Sequence, residues 1–200
     1  MKLTVVLFGF LFFSGFRILG ADQIEPFSSD QIKPFSSDGC SASPDDILGR
    51  SIVHCCIEHD FDYFVGGPEE LKTQADQKLE ECIQATLPKG GKIVGEVYKY
   101  FVNQGGKPSY LQLKSPFTWR WAYGWKNNRE YSGLNLEERK LALKQLEILK
   151  NALPIYELSS ETPKNYLWRF QCLLINKKQY LFINKALDKK INELKTHLND

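Results

Sequence analysis

The chain carries almost no charge imbalance: 26 basic side chains face 24 acidic ones, a formal net charge of +2. Lys2 and Arg17 lie in a leading segment without an acid, so the remainder is neutral. Neutrality removes the global electrostatic argument for a nucleic-acid partner and leaves only local basic patches open. Methionine does not recur after Met1. No G-x-S-x-G occurs, so the strand-to-helix elbow that presents a nucleophilic serine is missing. What is present is an ordinary hydrophobic fraction of 42% over 200 residues, enough for one packed domain with an extension.

Residues 1–21 read as a signal peptide. Lys2 gives the positive start, and residues 3–16 form an apolar run broken by Thr4, Gly9, Ser14 and Gly15. The run is shorter than the ~20 residues of a bilayer span. Gly20 and Ala21 supply small residues at the junction, and no Cys stands there to carry a lipid anchor. Arg17 and the bulky Ile18 and Leu19 leave an uncleaved anchor as the alternative. The expectation is a secreted or periplasmic protein, in a compartment where its five cysteines can pair.

Residues 22–38 form an N-terminal arm built on a tandem octapeptide. Gln23-Ile24-Glu25-Pro26-Phe27-Ser28-Ser29-Asp30 is followed by Gln31-Ile32-Lys33-Pro34-Phe35-Ser36-Ser37-Asp38, with only Glu25 and Lys33 different. Two copies are too few for a solenoid. The plain reading is a duplication in an extended segment, and the other is a docking arm.

Residues 39–50 are polar and turn-rich, hence a loop. A first helix starts at Ser51 or His54, runs to about Phe64 and stops at Gly66-Gly67. Pro68 opens a second, with Glu69 and Glu70 in its first turn and a stripe of Leu71, Ala75, Leu79, Cys82 and Ile83. Asp76 borders that stripe. A third helix over residues 92–104 turns Ile93, Val94, Val97, Tyr98, Phe101 and Val102 inward, and Gly105-Gly106 closes it.

Aromatics then crowd in at Tyr110, Phe117, Trp119, Trp121, Tyr123 and Trp125, interleaved with Arg120, Lys126 and Arg129. They read as packing, or as an interfacial patch, since Trp and Tyr favour headgroup regions. Residues 134–153 make an amphipathic helix broken by Pro154. Residues 166–183 are a helix or a strand pair, and residues 185–198 a last helix. The fold class is mainly all-α, with a core at residues 39–106 and an aromatic-rich helical extension at residues 107–200.

The stretch with the densest chemistry is Cys55-Cys56-Ile57-Glu58-His59-Asp60. On a helix, Cys55 stacks with His59 and Cys56 with Asp60, each four apart. Leaving Cys172 aside, four cysteines allow three connectivities, and adjacent Cys55 and Cys56 are poor partners for each other within a helix. Cys55, His59 and Cys82 could alternatively hold zinc. His54 and His197 have no evident partners and read as exposed. Cys172 reads as a buried free thiol or an intermolecular link.

The segment from residue 39 to about residue 83 resembles the secreted phospholipase A2 family, whose signature is C-C-x-x-H-D. Four more spacings agree. Cys40 stands fifteen residues before the Cys pair, Tyr63 four after His59, Asp76 on the next helix, and Cys82 six after Asp76. Asp62 and Ala75 stand where the family has a further bonded cysteine pair, and the family's glycine-rich turn is Ser41-Ala42-Ser43 here.

The resemblance implies two antiparallel helices linked by Cys55–Cys82 and a loop pinned by Cys40–Cys56. It implies calcium on the backbone carbonyls of Gly39, Ser41 and Ser43 and the carboxylate of Asp60. Serine tolerates positive φ less well than glycine, and one carboxylate is few for calcium, so affinity is expected near the millimolar end. It further implies His59 as general base, Asp76 as its partner, Tyr63 as support for Asp76, and the Ser41 N–H as oxyanion donor. The expected function is calcium-dependent hydrolysis of a fatty-acyl ester in a glycerophospholipid at a membrane surface. The alternative is an inactive lipid- or protein-binding module on the same scaffold.

Overall fold

A computed structural model describes residues 31–41, 43–108, 120–127, 129–153, 164–166, 173–175 and 177–198. Its centre is α1 (Val53–Val65), in which only His54 and Glu58 escape burial. It is buried although it carries His59, Asp60 and Asp62, and buried polar side chains of this kind need partners. The reversal after it is tight: Gly66 has φ 76°, its N–H donates to the Asp62 carbonyl, and a Cβ there would come within 2.5 Å of the Ala122 Cβ. Glycine is required at that crossing.

Helix α2 (Glu69–Thr86) follows Pro68, with Glu69 and Glu70 complementing its N-terminal dipole. It runs antiparallel to α1: Cys55 near the start of α1 is bonded to Cys82 near the end of α2, while Asp62 meets Lys78. Ala75, Leu79 and Ile83 are buried as the stripe predicts, but Leu71 lies outside. Helix α3 (Gly91–Gly105) returns antiparallel, with Lys99 bonded to Glu80 and Lys72 to the Val102 carbonyl.

The inward row expected for α3 holds for half of its members. Val94, Tyr98 and Val102 pack partly inside, but Ile93, Val97 and Phe101 are exposed, as is Tyr100. Gly91 and Gly95 let α3 press its bare backbone onto α2, where a Cβ would meet the Gln84 and Glu80 carbonyls within 3 Å. The glycine edge therefore faces in, and the bulky side chains on the other side are left out.

The loop before α1 holds a two-strand ribbon, β1 (Asp46–Ile47) and β2 (Arg50–Ser51), joined by Leu48 and Gly49 at positive φ. Helix α4 (Leu136–Ala152) has a reciprocal capping box between Asn135 and Glu138. Strands β3 (Lys164–Tyr166) and β4 (Leu173–Ile175) pair antiparallel, and α5 (Lys177–Thr196) starts well before residue 185. The stretch 166–183 thus divides between strand and helix. Helix α5 lies antiparallel to α4 through Lys150–Asp188 and Lys195–Glu147, and parallel to α1 through His54–Phe182 and Asp62–Lys190. The five helices make the described residues mainly helical.

The second octapeptide copy is part of the interior. Ile32 and Phe35 are buried in the main core, with Phe35 against Phe61 and Phe64. Its backbone is held along the aromatic segment by Lys126 N–H to Gln31 O and Lys33 N–H to Gly124 O. Trp121, Tyr123 and Trp125 are buried and donate to the Gly67, Ser36 and Val65 carbonyls. They are packing residues, and the interfacial reading fails for these three. Trp119, Cys172, residues 1–21 and the first octapeptide copy lie outside the described residues. No helix among the described residues is long and apolar enough to cross a membrane.

Candidate active site

The disulfides Cys40–Cys56 and Cys55–Cys82 both form, with Cα separations of 5.1 and 5.6 Å. The second locks α1 to α2 in the register that sets His59 opposite Asp76. Cys55 and Cys82 are thereby spent, so the zinc reading fails. The imidazole beside that sulfur pair is His54, with Nε2 3.5 Å from the Cys55 Sγ. His54 is not the exposed, partnerless residue expected. It is half-buried against Phe182 and contacts the Thr86 hydroxyl, and burial, with the Lys178 charge, pushes its pKa down. His197 is exposed, and its carbonyl accepts from Arg139.

His59 Nε2 lies 3.0 Å from Asp76 Oδ1. Tyr63 donates its hydroxyl to the same oxygen at 2.7 Å. Lys72 donates to the other oxygen, Oδ2, at 2.7 Å. All four side chains are buried. Burial alone would raise the Asp76 pKa, but the bond and charge of His59, then of Lys72, bring it below the usual carboxylate value. An ionised Asp76 can only accept, so His59 Nε2 carries a proton, and in the neutral ring the lone pair then falls on Nδ1. The Tyr63 pKa is driven far up by burial and by Asp76, which keeps it a donor.

Sequence reasoning missed Lys72. Its signal was the four-residue spacing to Asp76 on one helix, a pattern that usually marks a solvent-side ion pair. Here α3 covers the pair, and Lys72 also reaches the Val102 carbonyl at 3.3 Å.

Asp60 lies one residue on from His59, buried. Burial pushes its pKa far above the carboxylate range; a bond from Ser37 opposes this, and Asp38 adds like-charge repulsion. Ser37 Oγ donates to Asp60 Oδ2 at 2.5 Å and accepts the Gly39 N–H at 3.1 Å. Sequence reasoning missed Ser37 too, since 23 residues separate it from Asp60.

Gly39, Ser41 and Ser43 line the same cavity as His59 and Asp60. The positive φ in this loop falls on Gly39, at 79°, and neither Ser41 nor Ser43 has one. The Ser41 hydroxyl donates to Asp38, and the Ser43 N–H and hydroxyl both donate to the Cys40 carbonyl. The cavity sets the oxygen-bearing loop beside a buried carboxylate, and no Lys or Arg is among its described lining residues, an environment that fits a hard divalent cation such as calcium.

The cavity holds about 480 Å³, within the usual range for small-molecule sites. Its polar end is His59, Asp60 and the loop; Ile47, Leu79, Val97, Phe101 and Val102 form its apolar walls. Val97 and Phe101 continue onto the surface, where Ile93 and Tyr100 extend the exposed row.

No protein-family model, curated protein or solved structure matches the chain.

Proposed function

We propose that this chain is a secreted, calcium-dependent hydrolase of the phospholipase A2 kind, releasing fatty acid from glycerophospholipids. The observation that carries the reading is the chain Tyr63–Asp76–His59 at the polar end of an apolar cavity. Two intrachain disulfides accord with export.

In this reading His59 Nδ1 takes a proton from water as that water attacks the ester carbonyl, and gives it to the leaving alkoxide as the ester C–O bond breaks, a role contributing roughly 10²–10⁴ in rate. Asp76 holds the Nε2 proton, fixes the tautomer and stabilises the imidazolium that forms. Tyr63 bonds the same oxygen of Asp76 as His59 and Lys72 bonds the other, so the carboxylate stays aimed at His59. The carbonyls of Gly39, Ser41 and Ser43 and the carboxylate of Asp60 would hold calcium. Calcium bound there supplies positive charge to polarise the ester carbonyl and offset its developing negative charge. The Ser41 N–H assists as an oxyanion donor. The apolar walls receive an acyl chain, and the exposed α3 row suits contact with a lipid surface.

The test is fatty-acid release from mixed phospholipid vesicles, with and without a calcium chelator, by the parent chain and His59→Gln. The expected result is release that falls at least 10²-fold with either treatment. Vesicle binding with no release from any lipid overturns the catalytic reading in favour of a binding module.

A further inference from the structure

We infer that Ser37 is the positioning residue for Asp60, and that the docked octapeptide is therefore a working part of the cation site. The inference rests on the calcium reading above and adds a residue outside the segment that suggested it.

Ser37 is fully buried, and its hydroxyl has two assigned partners. It accepts the Gly39 N–H, so its own proton goes to Asp60 Oδ2. A relay results: Gly39 N–H to Ser37 Oγ–H to the Asp60 carboxylate. It couples the backbone at the start of the candidate loop to the only carboxylate in the donor set. Engaging one lone pair of Oδ2 fixes the carboxylate rotamer and leaves the other acceptor positions of Oδ1 and Oδ2 for a cation.

Ser37 is not a removable plug. Phe35, two residues before it, is wedged between Phe61 and Phe64, and the Tyr123 hydroxyl holds the Ser36 carbonyl at 2.8 Å. The arm cannot withdraw without opening the main core. The contact therefore supports the carboxylate and does not compete with a ligand for it. Groups that orient a metal ligand typically contribute 10–100-fold in affinity.

The experiment is calcium titration by isothermal calorimetry on the full disulfide-bonded chain, comparing the parent with Ser37→Ala, Ser37→Thr and Ser37→Cys. Circular dichroism and the Tm without calcium check folding. The expected result is calcium affinity about 10–100-fold weaker in Ser37→Ala, and recovery to within about threefold in Ser37→Thr, which keeps the hydroxyl. Ser37→Cys keeps the shape with a poor donor and should behave like Ser37→Ala; it carries the test if Ser37→Ala does not fold. Parental affinity in a folded Ser37→Ala overturns the inference and leaves the calcium reading standing. Tighter binding overturns it by showing that the hydroxyl competes with the cation. A parent chain that takes up no calcium overturns both.

Discussion

At the residue scale, two buried carboxylates one helix apart are treated in opposite ways. Asp76 has a cation and two further donors, and its pKa is depressed; Asp60 has one hydroxyl, and its pKa is raised. Removing the cation from the first should be costly. Lys72→Met leaves Asp76 short of charge compensation in the interior, and we expect a loss of about 3–5 kcal/mol in urea unfolding. Neutralising the second should help. A carboxyl whose folded pKa is raised favours folding below its unfolded value near 3.9, and that advantage is lost as pH rises through the folded value. At pH 7 without calcium, Asp60→Asn should thus raise Tm by a few degrees and abolish any calcium-induced shift. A lower Tm at pH 7 contradicts this account of Asp60. The grouping of His59, Asp76 and Tyr63 was legible through the resemblance, since His59 and Asp76 stand 17 residues apart on different helices. Lys72 and Ser37 were not: the pattern of one ordinarily marks a surface pair, and the other reaches the site only through the tertiary path of the arm.

At the element scale, charge ties α5 to the candidate catalytic helix. Lys190 and Lys78 both reach Asp62, from α5 and α2 respectively. Burial opposes ionisation of Asp62, but the two lysines win and depress its pKa, while the same contact raises that of Lys190. The stabilisation is complete between the unfolded values, near 3.9 and 10.4. It fades as pH falls through the lowered Asp62 pKa, or rises through the raised Lys190 pKa. Lys190→Met should lose about 3 kcal/mol at pH 7, the low end for a broken buried pair because Lys78 remains. The gap between variant and parent should narrow on acidification below the ordinary carboxylate range, as read by denaturant midpoints across pH. Helix existence was legible from periodicity, the Pro68 start and the glycine stops. Orientation was not for α3, since its apolar positions outnumber the contact face, and the close approach of Gly91 and Gly95 to α2 decides which side packs.

At the scale of the whole molecule, two covalent links close loops of 16 and 27 residues. Chain entropy assigns them about 3.1 and about 3.6 kcal/mol respectively. The double change Cys55→Ser/Cys82→Ser should therefore lower stability by about 3.6 kcal/mol in urea unfolding, and more than Cys40→Ser/Cys56→Ser. Both pairings followed from the resemblance and not from cysteine counting alone. What no local pattern indicated is that residues 31–38, the aromatic segment, α4 and α5 share one core with α1. Those contacts span the chain, and a solitary Phe or Ile in a polar stretch does not announce its partner.

The insertion of Ile32 and Phe35 among the interior aromatics limits how this chain can be trimmed. A cut between Asp38 and Gly39, where the recognisable motif begins, would strip an inner wall and expose Phe61 and Phe64 to solvent. Terminal sequencing of material from its native source should consequently find Gln31 or an earlier residue at the front, and never Gly39.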